Sequence, residues 1–476
     1  MKTNFTILFL TMMLAINAYA ITGTGAAGDP YKIATAQDLI DFKAKTNVIN
    51  AYAELVSDIN MTGVTWSPIE TFAGAFDGKN FQISNLTLGS VTTPISLNAY
   101  GAIFQKITGA IVKNLKIDNF KLYYKSTTYS YWGLIVGIAE KSGTIKPTID
   151  NCHITNSSLR VVSTAFSYFI GPICGRLESG TIMNCSANVA TVITSELIPP
   201  STDVSNYVGG LVGQNEIFTG AGDDIKVVNC YSNGSISCSS NSQVTFYIGG
   251  IVSQVAKGFI ENCYSACTIA VGPSKGGMLV GGIAAEPSKN IINCIALNPT
   301  IKGYTTSWLN VRRIGGGFED ITVGPNYAAD NVLVYASQTN ADGTPIKVSI
   351  GTTTNANGYN LGTTKPATIL NTYVSNNPNK GYMQWEVKTG VNSGNPVLIN
   401  SYTALNDIYS HQSRIKVYSR NSSLTIQGLE MGEEVFIFNL LGSVVWKGIT
   451  QSTEVNITLP KGIYGVKGFN KMIINN

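Results

Sequence analysis

The chain has 476 residues, too many for one ordinary compact core, so several domains or one long repetitive domain is expected. Only 13% of residues are charged and the net charge is +4, which argues against a nucleic-acid partner. His153 and His411 are the two histidines, which leaves little scope for general acid–base or zinc chemistry.

In chain order, residues 1–20 read as a signal peptide. Lys2 supplies the positive start, FTILFLTMMLAINA the apolar stretch, and Ala18-Tyr19-Ala20 a small-residue cleavage site. The mature chain would begin at Ile21, exported to the outside or to the outer cell surface. No later run is long enough to predict a transmembrane segment. GTGAAG at Gly23–Gly28 has a dinucleotide-binding spacing, but it follows no strand and opens no helix, so it reads as a flexible terminus. Residues 21–70 are expected to form an N-terminal cap. Thr35 and Asp38 suit a capping box, and Leu39, Ile40 and Phe42 make the apolar face of a short helix.

From residue 71 to residue 400 a two-beat repeat dominates. The first beat is Ile/Val-x-Asn-Leu/Cys, at Asn85, Asn114, Asn151, Asn184, Asn229, Asn262 and Asn293, with successive spacings of 29, 37, 33, 45, 33 and 31. The second is a glycine-led apolar run, at Gly101, Gly133, Gly171, Gly209, Gly249, Gly281 and Gly315. The two alternate, so each unit holds two short β-type runs joined by turns. Units of this kind stack as the coils of a solenoid, and the predicted fold is all-β: a right-handed parallel β-helix with an N-terminal capping helix. The asparagines would form a ladder at one turn. Leu86, Leu115, Cys152, Cys185, Cys230, Cys263 and Cys294 would follow as an inward column. A position that accepts Leu or Cys is a core position, so neither metal nor cofactor is expected there. If any disulfide forms, Cys230–Cys238 or Cys263–Cys267 is better placed than a bridge along the column.

After Gly317 the repeat decays, and residues 325–400 read as irregular final coils. Residues 401–413 read as a linker. Residues 414–476 alternate like the strands of a small antiparallel β-sandwich. Two stretches carry candidate chemistry. Asp223-Asp224 reads as a solvated loop, because no Asp, Glu, Lys or Arg recurs at one rung position. KLYYKSTTYSYW offers Tyr123, Tyr124, Tyr129, Tyr131 and Trp132, either as strand core or as exposed aromatics for a glycan or protein ligand.

The unit GGLVG…NCYS, with Gly210-Leu211-Val212-Gly213 at its centre, resembles the GLUG repeat of bacterial surface proteins. The opening DPYKIATAQDL…FAGAFDGKNFQISNL is similar to the segment that precedes such repeats. Leu440–Gly448 and Leu459–Lys467 resemble the sorting domains that route Bacteroidetes proteins through type IX secretion, which implies outer-membrane secretion machinery as a partner. These resemblances imply an adhesin-like surface protein. The expectation is therefore a non-catalytic adhesin, not an enzyme, that presents loops to glycans or to host and matrix proteins. A β-helix polysaccharide lyase or glycosidase and a passive structural surface component are the alternatives.

Overall fold

The computed structural model describes most of residues 21–399 and the strands between residues 416 and 475. Residues 1–20, 196–203, 216–224, 318–324, 339–355 and 400–415, with shorter interruptions, lie outside the described residues. So do the expected signal peptide, Asp223-Asp224 and the 401–413 linker. The chain divides into two compact units, Met1–Ser401 and Tyr402–Asn476.

The first unit is built from parallel strands in four long sheets. Residues Thr148–Asp150, His153–Ser163, Tyr168–Ile170 and Cys174–Leu177 make one coil, a strand for each sheet. The chain then returns to the first sheet, where Thr181–Met183 pairs in register with Thr148–Asp150. Equivalent residues of successive coils therefore lie above one another. Their apolar side chains form one continuous core from Ile21 to Val334. A single coil buries little by itself; the stack supplies the missing neighbour.

Two corners explain the two beats of the sequence. Between the first and second sheets the chain turns through a left-handed residue. Asn114, Asn151, Asn184, Asn229, Asn262 and Asn293 all have φ between 52° and 54°. Asparagine tolerates this conformation better than other side chains with a Cβ. Between the third and fourth sheets the chain bends at the glycine-led run. A Cβ on Gly209 would lie 1.8 Å from the Val212 carbonyl oxygen, and one on Gly250 would lie 1.9 Å from the Gly282 carbonyl oxygen. The first contact closes the bend and the second is the approach of the next coil, so both positions require glycine.

The stack begins earlier than the expected boundary at residue 71, since Tyr31–Ile33, Tyr52–Leu55 and Ile59–Asn60 already join the solenoid sheets. Within residues 21–70 the expected short helix is present. Helix α1, Ala36–Lys43, starts at a capping box in which Thr35 and Asp38 exchange side-chain-to-backbone bonds. Leu39 and Phe42 are fully buried, and Phe42 packs edge-on against Tyr31 and Phe72. The GTGAAG run is ordered, which corrects the flexible reading. It forms a tight turn in which Asp29 accepts the Thr24 amide.

The far end differs from expectation. After Tyr359–Asn360, which pairs with Tyr327–Ala328, the chain leaves the stack. Helix α2, Pro366–Asn376, leads into a strap that runs back along the outside of earlier coils. Trp385–Glu386 and Val397–Leu398 pair only with each other, antiparallel, and join none of the solenoid sheets. The final residues up to 399 are thus a lateral strap, not irregular coils. Their polar and aromatic side chains found partners on the side of the stack, where repeat periodicity does not point.

In the second unit, Lys416–Arg420, Ser423–Gln427 and Glu454–Thr458 form one antiparallel sheet. Glu434–Asn439, Val444–Ile449, Gly462–Val466 and Ile473–Asn475 form another. Leu424, Ile426, Val435, Ile437, Ile457 and Leu459 make a single apolar cluster from both.

Candidate functional site

The asparagine ladder runs in two stretches, Asn114–Asn151 and Asn184–Asn293, because the Asn184 side-chain amide donates to Asp150 and not to Asn151. The amide nitrogens of Asn151, Asn229, Asn262 and Asn293 donate to the side-chain oxygens of Asn114, Asn184, Asn229 and Asn262, at 2.7–2.8 Å. Asn85 is a correction. Its neighbours are Asn60 and Asn119, at 3.0 and 2.8 Å, so it belongs to a second turn ladder on the second sheet. Leu86 leaves the cysteine column with it. Local sequence around Asn85 imitates the repeat, but register decides: Ile83 pairs with Ile117, not with Val112.

The column beneath the ladder is Leu115, Cys152, Cys185, Cys230, Cys263 and Cys294, all fully buried. Each of Cys185, Cys230 and Cys263 accepts the backbone amide of the cysteine one coil earlier, at 3.2–3.4 Å. The Asn326 side chain takes that place above Cys294, at 2.9 Å. All eight cysteines are free and buried. Burial pushes the Cys152, Cys185, Cys230 and Cys263 thiols well up, and Cys267 up to about 11, so none is a ready nucleophile at neutral pH. His153 is buried between Asn151 Oδ1 and Ser186 Oγ. Burial, and Lys116 nearby, lower it to about 3, so it stays neutral. Among the described residues, no three His, Cys, Asp or Glu side chains form a metal-holding group.

The aromatic candidates separate into two groups. Tyr124 and Trp132 are core, stacked on each other with ring centres 3.7 Å apart, and the Trp132 indole donates to Ser130. This corrects them as ligand residues. Strand alternation sends both inward. Tyr123 is half-buried on the other face of its strand. Tyr129 is 45% exposed, and Tyr131 is half-buried beside it.

Tyr131 begins a ladder that sequence reasoning missed. Tyr131, Phe169, Tyr207 and Tyr247 stack along the outer face of the third sheet, with ring centres 5.2, 4.8 and 4.7 Å apart and ring planes within 17°. Beside it, on the fourth sheet, Arg176, Gln214, Gln254 and Glu286 are aligned by register. Arg176 donates to the Tyr131 hydroxyl at 2.7 Å and lies over the Tyr131 and Phe169 rings. Gln214 donates to Gln254, and Gln254 donates to Glu286. Burial raises the Tyr131 and Tyr247 phenols; Arg176 opposes this at Tyr131, and Glu286 adds to it at Tyr247. The strip therefore presents protonated phenols, amides and one carboxylate at the repeat of the coils. A signal was present: each aromatic stands two residues before a second-beat glycine, and each polar partner five residues after it.

A family model described as a domain of unknown function (DUF6383) matches residues 403–467. No curated protein matches the chain. The chain is similar in structure to a Bacteroides ovatus protein described as a "putative immunoglobulin A1 protease". The TM-score is 0.50 and the identity 21%, covering 80% of this chain and 95% of that one. A second structure, an IgA1 protease, aligns at TM-score 0.42 and 13% identity over 93% of this chain and 34% of its own. The first likeness establishes the fold. The protease description of that chain stands against the expectation of a non-catalytic adhesin and of no enzyme, and both are corrected accordingly.

Proposed function

We propose that the protein is an exported β-helix of the protease class, acting on a secreted host polypeptide of the immunoglobulin type. The supporting observation is the likeness to the Bacteroides ovatus chain, nearly all of whose length this fold accounts for. The coils wind to the right on this reading, as parallel crossovers do. The central units are GLUG-like, and the second unit is a sandwich that serves in sorting to the outer surface. The ladder from Tyr131 to Tyr247, with Arg176 and Glu286 beside it, is the strip that meets the substrate. Aligned rings and hydrogen-bonding side chains at one spacing suit an extended chain laid along the coils. Incubation of the purified protein with immunoglobulin A1, followed by mass spectrometry, tests the reading. Discrete fragments that decline several-fold with Tyr207→Ala and Tyr247→Ala are expected. Intact immunoglobulin after prolonged incubation at equimolar enzyme overturns it.

A further inference from the structure

The strap is held in the manner of a bound peptide. Asn184 and Asn229 read its main chain. The Met383 amide donates to Asn184 Oδ1 at 3.0 Å, and Asn184 Nδ2 donates to the Gly381 carbonyl at 3.0 Å. Asn229 Nδ2 donates to the Met383 carbonyl at 2.9 Å. These three bonds need no particular side chain on the strap. Specificity enters two residues later, where the Trp385 indole donates to Asn229 Oδ1 at 2.8 Å. Its ring packs at a tilt against Tyr231 and Tyr264, centres 5.9 and 5.6 Å away, and those two rings are themselves stacked in parallel 5.1 Å apart. Farther along, Asn392 bonds the Tyr264 hydroxyl and accepts from Asn233.

We propose that the corner formed by Asn184, Asn229, Tyr231 and Tyr264 is a receptor surface for an extended polypeptide bearing an aromatic residue. The strap is its built-in occupant. Two observations separate this from ordinary packing. The strap enters none of the solenoid sheets, so leaving breaks side-chain contacts but no strand ladder. It is also tethered by α2, whose Leu370 and Val374 are buried and whose Tyr373 donates to Glu261. A displaced strap therefore stays close, at high effective concentration, and returns when the competitor leaves. The inference stands apart from the proteolytic reading, since a protein that cuts nothing would still exchange its strap.

The test uses a fluorescent peptide of the strap sequence KGYMQWEVK and the full chain. Trp385→Ala, with the circular dichroism of the parent, is expected to bind the peptide at least tenfold more tightly than the parent does. The same peptide with its Trp replaced by Ala is expected to show no binding. Absence of binding to folded Trp385→Ala overturns the proposal. If that variant does not fold, hydrogen exchange of the unaltered protein decides. Amides of residues 381–385 exchanging at least tenfold faster than those of Tyr231–Ser240 are expected, and equal protection of the two overturns it.

Discussion

Asn229 shows how much one residue carries. Its left-handed backbone makes the turn, and its amide joins the coils on both sides while holding the strap. Asn229→Ala strands several buried partners, each costing on the order of 1–3 kcal/mol. The expected loss is about 3 kcal/mol or more in a denaturant titration. Asn85→Ala, at a partly exposed turn, is expected to cost less. His153 has a pH signature. Its folded value is depressed, so its contribution is complete above the unfolded value of 6.5 and is lost as pH falls toward about 3. Between pH 7 and pH 4 the protein should lose ~3 kcal/mol through this group. His153→Gln should flatten that part of the stability profile. The thiols of Cys152, Cys174, Cys185, Cys230, Cys238, Cys263 and Cys267 behave in the opposite sense. Their folded values are raised, so stability falls as pH rises past the ordinary thiol value near 9. A thiol reagent at pH 8 should find almost none of the eight cysteines in the native protein and all of them after denaturation.

At the scale of elements, the corners are less tolerant than the strands. Gly209→Ala places a methyl group within 1.8 Å of a carbonyl oxygen that closes its own bend, so it should destabilise by several kcal/mol. A fall of many degrees in melting temperature would register it. The neighbouring Tyr207 faces outward in the aromatic ladder, and Tyr207→Ala, which removes two stacked contacts, should lower stability by about 1–3 kcal/mol while removing one rung. Helix α1 was legible from Thr35, Asp38, Leu39 and Phe42 because capping and amphipathic spacing are local. The aromatic strip left a signal, an aromatic two residues before each of four second-beat glycines, but only the register shows that these rings stack on the outer face. Tyr124 and Trp132 were ambiguous for a related reason: a run rich in aromatics does not say which alternate residues face the core.

Across the whole molecule, stability is a sum of coil-to-coil terms. A cavity in a middle coil breaks two interfaces, whereas one in the last coil breaks one. Phe246→Ala, at a fully buried ring, is expected to cost about 3–5 kcal/mol and to lower hydrogen-exchange protection in the coils on both sides. Val334→Ala near the end should loosen only its own coil. Protection confined to one side of Phe246 in the first variant would count against a nearest-neighbour stack.

The repeat itself belongs to the sequence alone. A period of about thirty residues, asparagine where φ is positive and glycine where chains touch are local requirements, and they specify a stack of parallel coils before any contact is seen. Tertiary structure decided the rest. It set the register that moved Asn85 to another ladder, aligned Tyr131 with Tyr247, and folded Trp385 back onto Asn229 across 156 positions. A side chain's neighbours one coil away are fixed by loop lengths and stacking. Residues that follow each other in the chain do not encode them.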